Sequence, residues 1–186
     1  MYDLRQRVEQ TSSSLLVPGM VYIEHFIADD EEKALLDFID SQPWPTTIGQ
    51  RRVQQYGARY VYSSRTLSAD APPIPKEIQV FIARLKHLDL VSTEPDQVIV
   101  NEYTHNQGIA VHTDHQKLFG PEIVSVSLGC NDTMDFKKGD KMASVMLHRR
   151  SAIVLKGEAR HEWTHGIRPK SRRTRRVSIT LRTINK

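Results

Sequence analysis

Apolar positions along this 186-residue chain follow two different rhythms. Val21, Ile23 and Phe26 mark an extended lead-in between Val17 and Ile27. Helical spacing follows: Leu35, Leu36 and Ile39 form one stripe behind Asp29-Asp30-Glu31-Glu32, an acidic run that favours the positive N-terminal end of a helix. Pro43 and Pro45 end that helix around Trp44. Ile78, Phe81, Ile82 and Leu85 repeat the spacing and predict a second helix over about Lys76–Leu88. Beyond it the period drops to two. Gln97–Tyr103, Ile109–His112, Ile123–Leu128, Thr133–Phe136, Ala143–Leu147, Ser151–Lys156 and Arg176–Thr183 read as strands, divided by turn signals such as Asn106-Gln107-Gly108 and Lys137-Lys138-Gly139-Asp140. Seven such strands without intervening helices predict a mainly β fold with flanking helices, an antiparallel sandwich or barrel. Between the two helices, residues 46–70 interleave Tyr56, Tyr60 and Tyr62 with Arg51, Arg52, Arg59 and Arg65, in alternations that suggest hairpin-like strands. Residues 1–15 are polar and read as a flexible N-terminal segment ahead of one domain, 16–186.

Composition narrows the class without naming a chemistry. With 39% hydrophobic and 26% charged residues the chain is expected to fold around a core. A single cysteine, Cys130, makes no internal disulfide, and no apolar run approaches the roughly 20 residues that cross a bilayer. The first residues lack the charged-then-apolar order of a signal peptide. The expectation is a soluble cytoplasmic protein (nuclear is also open in a eukaryote), monomeric and without a membrane partner. Charge changes the picture more. The net +4 conceals a split: Lys137–Lys186 holds 15 basic and 3 acidic residues, a net +12, against −8 for the first 136. That split fits an anionic partner, nucleic acid or a carboxylate, or else an ordinary solvated basic face.

Three patterns carry candidate chemistry. In His112-x-Asp114, strand alternation points an imidazole and a carboxylate the same way. A third ligand from His148, His161 or His165 would complete a facial site of two histidines and one carboxylate, which suits non-haem Fe(II); a surface histidine beside a carboxylate is the plainer alternative. In Arg176–Arg182, Val177, Ile179 and Leu181 form an apolar face, while the two arginines share the other face with Ser178 and Thr180. On a central strand these guanidiniums need anionic partners, and a dicarboxylate would satisfy them; on an edge strand they are simply solvated. Asn101-x-Tyr103 puts an amide and a phenol on one face, a combination too common to carry weight alone.

The order of these parts is more specific than any one of them. Asn101-x-Tyr103, a turn at Gly108, His112-x-Asp114, Trp163-Thr164-His165-Gly166-Ile167 and Arg176-x5-Arg182 together resemble the AlkB family of 2-oxoglutarate- and Fe(II)-dependent dioxygenases. The likeness covers residues 97–183, with Phe119-Gly120-Pro121 and Ser125-x-Ser127-Leu128-Gly129 between the motifs, and reaches back more weakly through Trp44 and Arg51-Arg52-x5-Gly57-x2-Tyr60-x-Tyr62.

The resemblance implies a double-stranded β-helix (jelly roll) with helices buttressing one side. It assigns Fe(II) to His112, Asp114 and His165, the last preferred over His161 for its His-Gly-Ile context. It assigns 2-oxoglutarate to Asn101, Tyr103, Arg176 and Arg182. It implies consumption of O2, release of succinate and CO2, and oxidation of a substrate C–H bond, which on an N-methyl group ends in formaldehyde. Expected partners are alkylated or modified bases in DNA or RNA, single-stranded or flipped from the duplex. Residues 46–70 take the place of the family's nucleotide-recognition lid, so Arg51, Arg52, Tyr60 and Tyr62 become substrate candidates by stacking and phosphate contact. Gln116 joins them because repair-type members often carry an acid at that position, two beyond the metal aspartate. This departure, with the Leu128-Gly129-Cys130 and Trp-Thr-His-Gly-Ile contexts, looks closer to the tRNA-modifying branch. A modified tRNA base, a protein side chain or a small molecule are alternative substrates, and a jelly-roll nucleic-acid-binding module is the non-enzymatic alternative. With Arg176 and Arg182 assigned to the co-substrate, the cations left for a phosphate backbone are Lys137, Lys138, Lys141, Arg149, Arg150, Arg168, Lys170, Arg172, Arg173 and Arg175.

Overall fold

Alternation along the strands explains why this chain forms two facing antiparallel sheets with helices behind one of them. The structure is a computed structural model that describes residues 17–48, 51–171 and 174–185. The expected flexible segment 1–15, and Arg172 and Arg173, lie outside the described residues. The elements in order are β1 (Met20–Ile23), α1 (Asp29–Ser41), β2 (Thr46–Ile48), β3 (Arg51–Tyr56), β4 (Arg59–Val61), β5 (Thr66–Ser68) and α2 (Lys76–His87). There follow β6 (Gln97–Tyr103), β7 (Ile109–His112), β8 (Phe119–Leu128), β9 (Asp132–Lys138), β10 (Lys141–Leu147), β11 (Ala152–Leu155), α3 (Gly157–His161), β12 (Thr164–Ile167) and β13 (Arg176–Ile184).

The large sheet runs β1-β11-β8-β13-β6-β3-β2 and the small one β10-β9-β12-β7, with β4 and β5 as a separate hairpin. β13 lies between β8 and β6, so its arginines belong to the middle of a sheet and not to an edge. Its apolar side, Val177, Ile179 and Leu181, packs with Val98, Val100, Val124 and Val126 against α1 and α2, whose stripes Leu35, Ile39, Ile78, Phe81, Ile82 and Leu85 are all buried. Each such side chain withdrawn from water contributes about 1.5–3 kcal/mol. A second core between the sheets gathers Phe119, Ile123, Met134, Phe136, Leu147, Ile153, Leu155 and Trp163.

The two helices and seven strands expected from the pattern are present within a few residues of their predicted bounds. Two elements lie outside that expectation: the one-turn helix α3 and the four-residue strand β12. The segment 46–70 forms hairpins as expected, yet it divides. β2 and β3 extend the large sheet beyond β6, while only β4–β5 stands free of it. No helix among the described residues is long and apolar enough to cross a membrane.

Candidate metal and co-substrate site

The polar face of the large sheet and the end of the small one enclose a cavity of about 1150 Å³. β7 and β12 pair so that His112 and His165 are direct cross-strand partners, with ring centroids 4.6 Å apart. Gly166 permits this approach, since a Cβ there would stand 3.0 Å from Ile109 O and the Val111 backbone. Asp114 lies beyond the end of β7, so strand alternation does not set its direction. Arg182 does: its Nη1 donates to Asp114 Oδ1 at 2.7 Å, and His165 Nε2 stands 3.5 Å from Oδ2. One ligand atom from each of His112, Asp114 and His165 falls within 4.8 Å of the others. His148 and His161, the other candidate histidines, belong neither to this group nor to the cavity lining. The His148 ring pairs with Glu24 at 3.1 Å, and His161 contributes its carbonyl to Gln116.

Electrostatics prepare the three groups for a cation. Burial pushes the Asp114 carboxyl up, but the hydrogen bond from His165 and the neighbouring Arg182 outweigh it and hold the group far below the usual carboxylate range. Burial, reinforced by His165, pulls His112 below the ordinary histidine value. The His112 Nδ1 lies 2.8 Å from Ala110 O; a proton held there leaves the lone pair on Nε2. Two imidazoles and a carboxylate on one side of a cleft form the donor set that suits Fe(II) with open positions.

Beside them the register of β6 and β13 sets Arg176 opposite Tyr103 and Ser178 opposite Asn101. The Arg176 guanidinium lies 5.1 Å from the Tyr103 ring centroid and donates to Ser127 Oγ at 2.9 Å. Arg182 Nη2 and Asn101 Oδ1 are buried without a hydrogen-bond partner among the described residues. Guanidiniums, a phenol and an amide on one buried face fit a dicarboxylate such as 2-oxoglutarate.

The substrate candidates are not all brought to this cavity. Tyr60 and Tyr62 overhang it from the β4–β5 hairpin, edge to face at 4.9 Å, with Tyr60 also 5.7 Å from Phe119. Gln116 lies at the rim, donating to His161 O at 2.9 Å. Arg51 faces in and donates to Gly108 O at 2.7 Å. Arg52 is a correction. As the next residue of the same strand it points to the opposite face, where Glu102 accepts it at 2.5 and 2.7 Å and its guanidinium lies 4.7 Å from the Trp44 ring centroid.

The cations set aside for a phosphate backbone are also largely committed within the molecule. Arg149 pairs with Glu32, Arg150 with Asp29, Lys138 with Glu158 and Glu162, Arg168 with Asp135, Lys170 with Asp132, and Arg175 with Asp40 and Glu102. Sequence reasoning also missed two buried residues that organise the site. Gln97 accepts Arg182 Nε at 2.8 Å, and Arg160 grips the loop that follows Asp114. Gln97 begins a predicted strand on the same face as Asn101, the one signal that could have found it.

A facial histidine–aspartate–histidine cluster beside arginines from the middle strand of a jelly roll defines a 2-oxoglutarate- and Fe(II)-dependent oxygenase. The profile of the 2OG-Fe(II) oxygenase superfamily matches residues 38–182, and the chain belongs to that superfamily. Within it, the chain is a member of the AlkB family, and its cofactors are Fe(II), 2-oxoglutarate and O2. It is 35% identical over 165 residues to a mouse protein named tRNA (carboxymethyluridine(34)-5-O)-methyltransferase ALKBH8, covering 83% of this chain and 25% of that one. It is 24% identical over 180 residues to the DNA N6-methyl adenine demethylase of Caenorhabditis elegans, covering 92% and 62%. The chain thus spans about a quarter of the length of the vertebrate ALKBH8 relatives it matches. The solved structure of OsALKBH1 shares the fold at a TM-score of 0.67 and 20% identity, covering 91% of this chain and 99% of that one.

Proposed function

We propose that this oxygenase acts on an alkylated or modified base of DNA or RNA, presented single-stranded or flipped out of the helix, with His112, Asp114 and His165 holding Fe(II) and Asn101, Tyr103, Arg176 and Arg182 holding 2-oxoglutarate. The observation that carries this reading is the cavity wall, where Tyr60 and Tyr62 line the same space as His112, Asp114 and His165 and offer ring surface to it. A planar base gains about 1–3 kcal/mol by stacking on such a ring whatever its sequence. Arg65 and Lys117 stand at the same rim, exposed and without an ion pair among the described residues, where the phosphates either side of that base would pass. The relatives named for tRNA and for DNA chemistry are consistent with a nucleic-acid substrate and do not separate the two.

When bound, iron and 2-oxoglutarate supply the oxidation, coupling decarboxylation to succinate and CO2 with insertion of one oxygen atom of O2 into a substrate C–H bond. The chain's residues do the rest. Asp114 stays ionised beside Arg182, His112 stays neutral, and the cation pair Arg176 and Arg182 orients the carboxylates. Tyr60 and Phe119 cover the site against water. On an N-methyl group the hydroxylated product breaks down to formaldehyde and the free base; on a uridine side chain it persists as an alcohol. Gln116, neutral at the rim, favours the second outcome as the tRNA-type reading.

Mass spectrometry of nucleoside digests tests this, after methylated oligodeoxynucleotides and total tRNA have each been incubated with protein, Fe(II), 2-oxoglutarate and ascorbate. Loss of a methyl mark with formaldehyde, or a gain of one oxygen atom in mass on a tRNA nucleoside, is the expected outcome. Turnover of 2-oxoglutarate with neither change in any nucleic acid would overturn the substrate assignment.

A further inference from the structure

Arg160 is among the largest fully buried side chains, 2% exposed, and no carboxylate pairs with it among the described residues. A guanidinium withdrawn from water without a counter-charge is strongly disfavoured unless its donors are met. Here four of the five N–H donors are met, and by backbone carbonyls alone: Nη1 donates to Asp114 O at 2.9 Å, Nη2 to His115 O at 3.4 Å and Phe119 O at 3.3 Å, and Nε to Gly120 O at 3.3 Å. All four lie in one segment, the connection from Asp114 to the first residues of β8. Burial pulls the guanidinium below its ordinary value, as expected of a cation held by dipoles.

The place of Arg160 in the chain matters as much as its contacts. It sits on α3, five residues before His165, and Trp163 between them is buried. Asp114, by contrast, is held by no strand ladder. The side chain therefore ties the segment that delivers one metal ligand to the loop that delivers another. Gln116 adds a second tie in the reverse direction, from the loop to His161 O on the same helix.

We infer that Arg160 is the positioning residue of the metal centre: its planar fork fixes the loop carrying Asp114 against the helix leading to His165, so that the donor set is assembled before the metal arrives. This rests on the assignment of Fe(II) to these three residues. A lysine could keep the charge but not reach four carbonyls from one plane.

The test is anaerobic titration of Fe(II) into the full chain with 2-oxoglutarate, following the visible charge-transfer absorption, with thermal melts of the metal-free protein recorded in parallel. Removing a group that orients a metal ligand typically weakens metal affinity by about 10-fold to 100-fold. The expectation for Arg160→Lys is weakening in that range, with the KM for 2-oxoglutarate moved less than the Fe(II) affinity and a metal-free melt showing one cooperative transition. Arg160→Met should weaken Fe(II) further; where it fails to fold, Arg160→Lys alone decides. Wild-type Fe(II) affinity in a folded Arg160→Lys protein would overturn the role of Arg160. Absence of the absorption in the wild-type protein would instead overturn the metal assignment itself.

Discussion

Arg182 brings one positive charge to several neighbours at once: the Asp114 carboxylate, the Gln97 amide and the face of Phe119, whose centroid is 3.9 Å from its guanidinium carbon. Gln97 is fully buried, and its oxygen meets the Nε–H that would otherwise have no acceptor. Gln97→Leu should therefore destabilise the fold by about 1–3 kcal/mol, the usual penalty for stranding a buried donor. It should also raise the KM for 2-oxoglutarate as Arg182 loses one of its two fixed hydrogen bonds. Chemical denaturation and steady-state succinate release measure the two effects separately, and an unchanged KM would show that Asp114 alone orients the arginine. Residues of this kind explain where sequence reading stops. His112, Asp114 and the paired arginines are marked out by local spacing, and the family resemblance assigns their roles. Gln97 and Arg160 look like unremarkable polar positions, because their partners lie 85 and 46 residues away and only the folded chain brings them into reach.

The helices are joined to each other by polar contacts as well as by their stripes. Glu31 on α1 accepts from Arg84 on α2 at 2.5 and 3.0 Å and from Ala28 N at 2.8 Å, closing the helix start from the N3 position. The hydrogen bond from Arg84 holds the Glu31 carboxyl below its ordinary 4.5, with burial opposing. A carboxyl depressed by folding adds stability that is fully present above its unfolded value and is lost as pH falls through the folded one. Glu31→Gln should flatten that acid limb of the stability curve below about pH 4.5 and leave the neutral region shifted by a constant amount, as urea titrations across pH would record. Both helices are legible from their apolar stripes, and the long strands from their alternation. β12 is not. Its four residues include a glycine and follow directly on a helix of one turn, too short for either period to register. The preference for His165 over His161 therefore rests, in the sequence, on family likeness, and the physical reason, that His165 faces His112 across a ladder, becomes visible only with the register.

Over the whole molecule the charge split has a different meaning from the one the count suggests. Acids of the net-negative first 136 residues, Asp29, Glu32, Asp40 and Glu102, are partners of Arg149, Arg150 and Arg175 in the basic remainder, so three of the cations behind the +12 are paired across the split. Salt dependence separates cations that meet nucleic acid from those that meet the protein. Arg65→Gln should reduce the log–log salt slope of single-stranded oligonucleotide binding by about 0.7, the value for one phosphate no longer neutralised. Arg175→Gln should lower the melting temperature with the slope unchanged. Fluorescence anisotropy over a salt series reads the slopes, and equal slopes for wild type and Arg65→Gln would remove that residue from the interface. The position of β13 bears on synthesis as well as on catalysis. Because β13 follows both of its neighbours in the chain yet fills the space between them, β8 and β6 have open edges until it leaves the ribosome. The nascent chain therefore waits on a long-range pairing, a route that is slow and exposed to misassembly. The strand that carries both arginines is also the one that closes the large sheet, so the face proposed for the co-substrate takes shape only when that long-range pairing is made.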